Sequence, residues 1–182
     1  MNAILSLRPN VTREEAVRTF APRTPMGLMR GLAMGRLRAV ADVYLPFCLH
    51  RVEIVNRGVR HSRFFGLDAI RGELDLYGFE AAPSEADLLP IETRNRPQPA
   101  LEEARAREIL VEKVRRLLFG EGFFRIRDLT ISAEPRSLEF HVPYWIGIYG
   151  EDGRVRLAAI DAVRRRAEGA KVRDLLSRWL LD

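Results

Sequence analysis

Residues 141–165 read HVPYWIGIYGEDGRVRLAAIDAVRR, and their pattern gives the clearest indication of the fold. Two runs rich in β-branched and aromatic residues flank a turn of Asp and Gly, which is typical of a β-hairpin because positive φ costs these turn residues little. A similar string, YLPFCLHRVEIVNRGVRHSRFFGLDAIRG, occupies residues 44–72. The sequence therefore predicts two antiparallel hairpins, each closing on an Asp that is followed by Ala.

The two hairpins match when Pro46 is aligned with Pro143. The first hairpin is then longer by two residues on each arm, measured from the proline to the turn glycine and from there to the closing Asp. Two residues are one period of a β-strand, so the added length leaves every side chain on its original face. This even lengthening predicts an internal repeat.

Helix signals precede each hairpin. Thr12 and Glu15 have the spacing of a capping box, which predicts a short helix from that point. In LEEARAREILVEKVRRLLFGEG, residues 101–122, the apolar residues Leu110, Val114, Leu117 and Leu118 share one helical face, and Gly120 follows as a stop signal. Each half of the chain is thus expected to hold a helix and a hairpin.

The C-terminal stretch EGAKVRDLLSRWLLD, residues 168–182, has apolar residues at the spacing of an amphipathic helix. Four prolines between residues 83 and 99 favour a connector. We therefore predict an α+β fold of two similar halves, each a helix plus an antiparallel hairpin-based sheet, with a C-terminal amphipathic helix. The predicted boundaries are 1–82 for the first half, 83–100 for the connector and 101–182 for the second, and the halves are expected to share one compact domain.

Each half closes on a short Asp-Ala motif with a third position four residues after the Asp: Asp68, Ala69 and Gly72, then Asp161, Ala162 and Arg165. A helix followed by a hairpin that closes in this way resembles the PepSY and cystatin-like group of small α+β modules. The duplicated layout PF/PYW…DA(I/V)R also resembles uncharacterised bacterial proteins. The PepSY-like resemblance implies an interaction or inhibitory scaffold in place of an active site.

The two closing aspartates, Asp68 and Asp161, are the candidate catalytic residues. Related by a pseudo-two-fold axis, two carboxylates can share a proton and act as an acid/base pair. The competing interpretation is that each Asp caps a turn through its own backbone. It is favoured because the residues after each Asp are Ala-Ile and Ala-Val, in place of the Thr/Ser-Gly that follows the Asp in aspartic proteases. A Cys48–His50 pair on one strand face is a further option, although no third orienting group is evident.

Binding candidates fall into an aromatic face and two basic tracts. His141, Trp145 and Tyr149 share one face of the second hairpin, which either packs under a helix or forms a binding surface, and burial is favoured because Trp is highly buried on average. The first basic tract follows two phenylalanines, and the second follows the closing Asp of the second hairpin. The residues that would contact phosphates or stack on bases are Arg125, Arg127, Arg164, Arg165 and Arg166.

Composition limits the partners without naming one. The chain has 182 residues, a net charge of +5 from 30 basic and 25 acidic residues, and only two lysines. Such a balance suits nucleic acid, but the arginines alternate with acids, which is typical of an ordinary solvated surface. The single cysteine and the scattered histidines predict no metal site, and no phosphate-binding loop is present, so no cofactor is expected.

The chain carries no apolar run of membrane-spanning length and no pattern of a secretory signal, so we expect no transmembrane segment and a cytoplasmic location. The function we favour is an interaction or scaffold protein without catalytic activity, with an unidentified protein partner or self-association. The alternatives are an arginine-rich nucleic-acid-binding protein and, third, a hydrolase that uses the two closing aspartates.

Overall fold

A computed structural model describes residues 3–21, 34–120, 128–151 and 154–181. Within these residues it contains three α-helices and eight β-strands, so the predicted α+β class is confirmed. The helices are α1 (Arg13–Phe20), α2 (Glu103–Gly120) and α3 (Ala170–Leu181). The strands are β1 (Ala3–Ser6), β2 (Leu37–Asn56), β3 (Val59–Asp68), β4 (Tyr77–Phe79), β5 (Leu89–Glu92), β6 (Thr130–Glu151), β7 (Arg154–Asp161) and β8 (Arg166–Ala167).

The strands form a mixed sheet with the order β4-β3-β2-β6-β1-β5, and β7 pairs with β6 and β8. The two predicted hairpins are present as the antiparallel pairs β2·β3 and β6·β7. β1 runs parallel to β6, with Ser6 opposite His141. The predicted connector holds only a 3-10 turn at Glu85–Asp87 and the short strand β5, in agreement with its prolines.

The chain divides into two compact units, which we call unit 1 and unit 2. Unit 1 comprises Met1–Leu45, Pro90–Pro97 and His141–Asp182, and unit 2 comprises Pro46–Leu89 and Gln98–Phe140. Each unit draws residues from both sides of the connector, so the units do not coincide with the predicted sequence halves. The halves, understood as repeats along the sequence, stay a prediction.

In unit 1, α1 packs against the β6·β7 hairpin. The helix begins with the predicted capping box, because the Thr12 backbone N–H donates to Glu15 Oε2 at 2.8 Å and the Glu15 N–H donates to Thr12 Oγ1 at 3.3 Å. Its Phe20 is buried with Tyr149 and Ile160 from the hairpin. The approach is close enough that a Cβ on Gly147 would lie 2.8 Å from Phe20 Cγ, so the glycine is required by packing.

In unit 2, α2 packs against the β2·β3 hairpin. Three of the four residues of the predicted face, Leu110, Val114 and Leu118, are buried together with Val52 and Phe65, and Leu117 is half-buried. The described part of α2 extends to Gly120, and the predicted stop concerns the residues after it, 121–127, which lie outside the described residues. Each helix therefore covers the hairpin that lies in the other half of the sequence, α1 on β6·β7 and α2 on β2·β3.

The turn of the first hairpin has the geometry that its sequence predicts. Asn56 pairs with Val59, which leaves a two-residue loop of Arg57 and Gly58 with φ of 54° and 76°. Positive φ at both central residues is the signature of a type I′ turn, whose twist matches that of the flanking strands. The matching loop of the second hairpin, 152–153, lies outside the described residues.

The C-terminal helix α3 is amphipathic as predicted. Val172, Leu175 and Leu176 are buried, which is the i, i+3, i+4 pattern of a core-facing stripe. Trp179 is only half-buried and Leu180 is 44% exposed, so the end of α3 presents apolar surface.

Candidate functional site

Asp68 closes the first hairpin and holds the turn that follows it. Its carboxylate accepts four backbone N–H groups, Oδ1 from Ile70 at 3.2 Å, Arg71 at 2.9 Å and Gly72 at 3.0 Å, and Oδ2 from Leu74 at 2.8 Å. The side chain is fully buried. The buried carboxylate takes the place of water as the hydrogen-bond acceptor of four backbone N–H groups. This is the arrangement that the turn-capping interpretation of Asp68 predicts.

Asp161 has the same place in the second hairpin. Its Oδ1 accepts the backbone N–H groups of Val163 at 2.9 Å and Arg164 at 2.8 Å, and the residue is fully buried. Asp68 belongs to unit 2 and Asp161 to unit 1. Local structure thus accounts for both carboxylates, and these contacts give the hydrolase hypothesis no support.

The backbone around the two aspartates is also equivalent. The Ala69 N–H donates to the Pro46 carbonyl at 2.8 Å, and the Ala162 N–H donates to the Pro143 carbonyl at 3.0 Å. In the ladders, the residue after each proline is paired with the closing Asp. The prolines, which lack a donor, therefore take part in each hairpin through their carbonyl groups.

The position four residues after each Asp adopts the left-handed conformation, with φ of 70° at Gly72 and 57° at Arg165. A non-glycine residue rarely adopts this conformation because its Cβ approaches the backbone. Arg165 is held there by its guanidinium, which donates to the Asn10 carbonyl at 2.6 Å and to Glu15 Oε1 at 2.9 Å. Its side chain is thereby engaged within unit 1.

The Cys48–His50 pair lacks the geometry of an activated nucleophile. The His50 Nδ1 lies 3.2 Å from the Cys48 carbonyl oxygen. Burial, with smaller contributions from Glu139 and Asp68, raises the pKa of the Cys48 thiol, whereas a nucleophilic cysteine needs a lowered pKa. Burial also lowers the pKa of His50. Both residues are thus accounted for by their place on the sheet.

The aromatic face of the second hairpin lies under α1. The Tyr149 hydroxyl donates to the Phe20 carbonyl at 2.7 Å, and the Trp145 Nε1 donates to the Val11 carbonyl at 2.9 Å. Tyr149 and His141 are 2% and 3% exposed, and Trp145 is half-buried. The His141 Nδ1 lies 3.3 Å from the Leu5 carbonyl, and burial lowers the pKa of its imidazole. These placements fit the packing interpretation better than an exposed binding surface.

The basic tracts divide between described and undescribed residues. Arg125 and Arg127 lie outside the described residues. Arg166 forms an ion pair with Glu168 at 3.1 Å, and Arg164 is half-buried. Of the second tract, Arg166 keeps half of its side-chain surface exposed, so it retains access to a phosphate even while paired.

Net charge is distributed unevenly between the two compact units. By sequence, unit 1 contains 17 basic and 10 acidic residues, a net charge of +7. Unit 2 contains 13 basic and 15 acidic residues, a net charge of −2. The two values account for the +5 of the whole chain. The excess positive charge of the chain therefore belongs to unit 1.

A cavity that the sequence analysis missed lies at the tip of the first hairpin, in unit 2. It has a volume of about 290 Å³ and is lined by both strands, by the end of α2 and by the residues before β6: Ile54, Asn56, Arg57, Val59, His61, Arg63, Leu118 and Leu129. The signal that would have revealed it is the register, which places His61 opposite Ile54 and Arg63 opposite Val52 on the core-facing side of the hairpin. Basic residues at such positions indicate a core that opens to solvent.

Among the described residues, no group of His, Cys, Asp and Glu side chains is arranged to hold a metal ion. None of the described helices combines the length and apolar character that crossing a membrane requires. Comparison with known proteins finds no matching family model, no matching curated protein and no matching solved structure. The resemblance to PepSY and cystatin-like modules therefore stays a prediction.

Proposed function

We propose that this protein is an interaction protein without catalytic activity. The observation that carries the proposal is that the candidate catalytic groups predicted from the sequence are engaged in the fold itself. Asp68 bonds four backbone donors, Asp161 bonds two, and the Cys48 thiol has a raised pKa. Carboxylates engaged in this way hold turns of the fold, and a raised pKa keeps the thiol in its less nucleophilic protonated form.

The proposal is tested by a turnover screen on the purified chain with chromogenic esters, phosphate esters and a denatured protein as substrates. We expect no turnover above that of buffer. Asp161→Asn and Cys48→Ser serve as diagnostic variants, since each removes one candidate group. Turnover by the wild type that disappears in either variant, while circular dichroism shows a folded chain, would overturn the proposal.

Nucleic acid is the second candidate partner, and the charge of unit 1 is the observation that favours it. A net charge of +7 on one unit beside −2 on the other is the kind of asymmetry that attracts a polyanion to one surface. Arg164 and Arg166 remain the candidate contacts, whereas Arg165 has a structural role through Glu15.

The test is fluorescence anisotropy with single-stranded RNA and duplex DNA over a series of salt concentrations. The logarithm of the binding constant is expected to fall linearly with the logarithm of the salt concentration, with a slope near −0.7 to −0.9 per phosphate contacted. The pair Arg164→Gln and Arg166→Gln should reduce both affinity and slope. A matched charge change on unit 2, Arg105→Gln with Arg116→Gln, should alter neither. Absence of binding at low salt, or equal loss in both double variants, contradicts this candidate.

The repeated architecture is part of the proposal. We infer that the two hairpins derive from one duplicated module, and the matched Pro carbonyl bonds and the positive φ at Gly72 and Arg165 support this inference. The exchange of helices between the halves is consistent with such an origin. The cytoplasmic location, which we expect from the absence of a secretory-signal pattern and of a membrane-spanning apolar run, stays a prediction.

A further inference from the structure

The cavity at the tip of the β2·β3 hairpin combines two kinds of surface. Its interior is apolar, since Ile54 and Leu118 are 5% and 4% exposed and Leu129 is half-buried. Its rim is basic, since Arg57, His61 and Arg63 are exposed residues of the same lining. Among the described residues of the lining there is no carboxylate. The lining thus changes from apolar to cationic between its interior and its mouth.

The charge at the rim is positive on balance. Arg57 contributes a full positive charge, whereas the C-terminal end of α2, brought to the cavity by Leu118, contributes a partial negative charge of about one half. Among the described residues, no carboxylate is paired with Arg57. An anion at the mouth would therefore meet a net cationic surface next to apolar walls, where solvent screens the attraction less than on an open surface.

We propose that this cavity binds a small amphiphilic anion, an apolar chain or ring that ends in a carboxylate. The apolar part would lie against Ile54, Leu118 and Leu129, and the carboxylate would be held by Arg57, with the positive charge of Arg63 nearby. A guanidinium suits a carboxylate because its planar donors can form two parallel hydrogen bonds. A volume of about 290 Å³ holds on the order of ten groups the size of a water molecule or methylene.

The strand register supports a single site for both parts of the ligand. Ile54 is paired with His61, and Asn56 is paired with Val59, so these four residues lie on one side of the hairpin. The type I′ turn fixes Arg57 at the end of this side through its positive φ. The apolar and cationic parts are therefore positioned by the same rigid hairpin, which is how a preformed site limits the entropy cost of binding.

This inference goes beyond the proposed function, because nucleic-acid binding by unit 1 and the absence of turnover can each fail while the cavity still binds its ligand. The test uses octanoate as the anionic probe, octanol as a neutral probe of the same chain length and octyltrimethylammonium as a cationic probe. Binding to the full chain is followed by NMR of the methyl groups of Ile54, Leu118 and Leu129. We expect octanoate to bind with a dissociation constant of about 1 mM or tighter, and the cation to bind most weakly.

The diagnostic variant is Arg57→Asn, because asparagine tolerates the positive φ of this turn position while the guanidinium and its charge are lost. This variant should weaken the binding of octanoate about three- to tenfold and leave the affinity for octanol unchanged. Arg60→Asn is the matched control on the same hairpin. Arg60 is paired with Val55, faces the other side of the sheet and forms an ion pair with Glu53. It should leave octanoate binding unchanged.

Three results would overturn the inference. The first is the absence of methyl shifts with all three probes up to their highest monomeric concentrations. The second is equal affinity of the wild type for octanoate and octanol, which removes the carboxylate from the argument without requiring any variant to fold. The third is an equal loss of octanoate affinity in the Arg57 and Arg60 variants, which would reflect general charge and not a site.

Discussion

Replacement of Asp68 by asparagine isolates the carboxylate as the group that holds the first hairpin's closing turn. In Asp68→Asn the side chain keeps its size and one oxygen. If that oxygen stays at the Oδ1 position, the new amide group faces the Leu74 N–H, which now donates to Oδ2 at 2.8 Å. Two donors then oppose each other at a site where Leu74 is 2% exposed and water is excluded. The opposite amide orientation is worse, because it opposes three donors.

The magnitude follows from these contacts. A hydrogen bond to a charged group contributes about 1.5–3 kcal/mol, and an unsatisfied buried donor costs about 1–3 kcal/mol. The three remaining bonds also weaken, since they lose their charge-assisted character. We expect Asp68→Asn to lower the free energy of unfolding of unit 2 by about 3 kcal/mol. In a chain of this size each kcal/mol shifts Tm by roughly 2–4 °C, so Tm should fall by about 6–12 °C.

The assay has to report on unit 2. Far-UV circular dichroism follows the helices of both units, whereas the tryptophans Trp145 and Trp179 belong to unit 1 and report on that unit. Amide hydrogen exchange at Gly72 and Leu74 should accelerate in the variant, because these are the N–H groups that Asp68 binds.

The matched control is Asp174→Asn, the same chemical change at an exposed position of α3. Substitutions at such positions usually change stability by less than about 0.5 kcal/mol. The reasoning would be refuted if the Asp68 and Asp174 variants melted at the same temperature, or if exchange at Gly72 and Leu74 were unaffected. Either result would mean that the four bonds contribute no stability and that the carboxylate is held for another purpose.

Two further predictions concern packing and pH. Gly147→Ala should destabilise unit 1 by about 1–3 kcal/mol in thermal melts, because the added Cβ meets the buried ring of Phe20 at 2.8 Å. Gly120→Ala, where no atom lies within 4 Å of the new Cβ, should be neutral or slightly stabilising. Burial lowers the pKa of His50 and of His141 below 6.5, so the unfolded chain binds a proton on each imidazole before the folded chain does. The free energy of unfolding should therefore fall as pH drops below about 6.5, by at most about 1.4 kcal/mol per pH unit for each histidine.

The corresponding negative results are specific. Equal melting temperatures of the Gly147 and Gly120 variants would show that α1 can shift away from β6 at little cost. For the histidines, the imidazole pKa values are read directly from NMR titration, and a value above 6.5 for either residue would reverse the sign of its contribution.

Local features of the fold were predictable because their causes are local. The capping box of Thr12 and Glu15, the buried face of α2 and the tight turn after Asn56 depend on residues within a few positions of each other, and the structure has all three. The competing interpretation of Asp68, a cap for its own turn, was available for the same reason, since its four partners all lie within the next six residues.

Long-range features were not predictable by the same means. Periodicity identifies which face of α1 is apolar. It does not identify the element against which that face packs, because the pattern of hydrophobic and polar residues is the same for any apolar partner. Nothing in Phe20 or Tyr149 alone specifies that α1 covers the second hairpin in place of the first. The cavity was missed for a related reason, because it depends on where α2 ends over the hairpin and not on the residues of either element.

The placement of α1 on a hairpin far along the chain has a consequence for how the protein is made. The contact between Leu5 and His141 spans 136 residues, and the Asn10 side-chain amide donates to the Val163 carbonyl across 153 residues. At about 5–20 residues per second, a ribosome needs roughly 7–27 seconds to produce His141 after Leu5. During that interval Phe20 of α1 lacks Tyr149 and Ile160, the hairpin residues with which it is buried in the folded protein. The packing of α1 in unit 1 can therefore be completed only once the second hairpin has been synthesised, however early the helix itself forms.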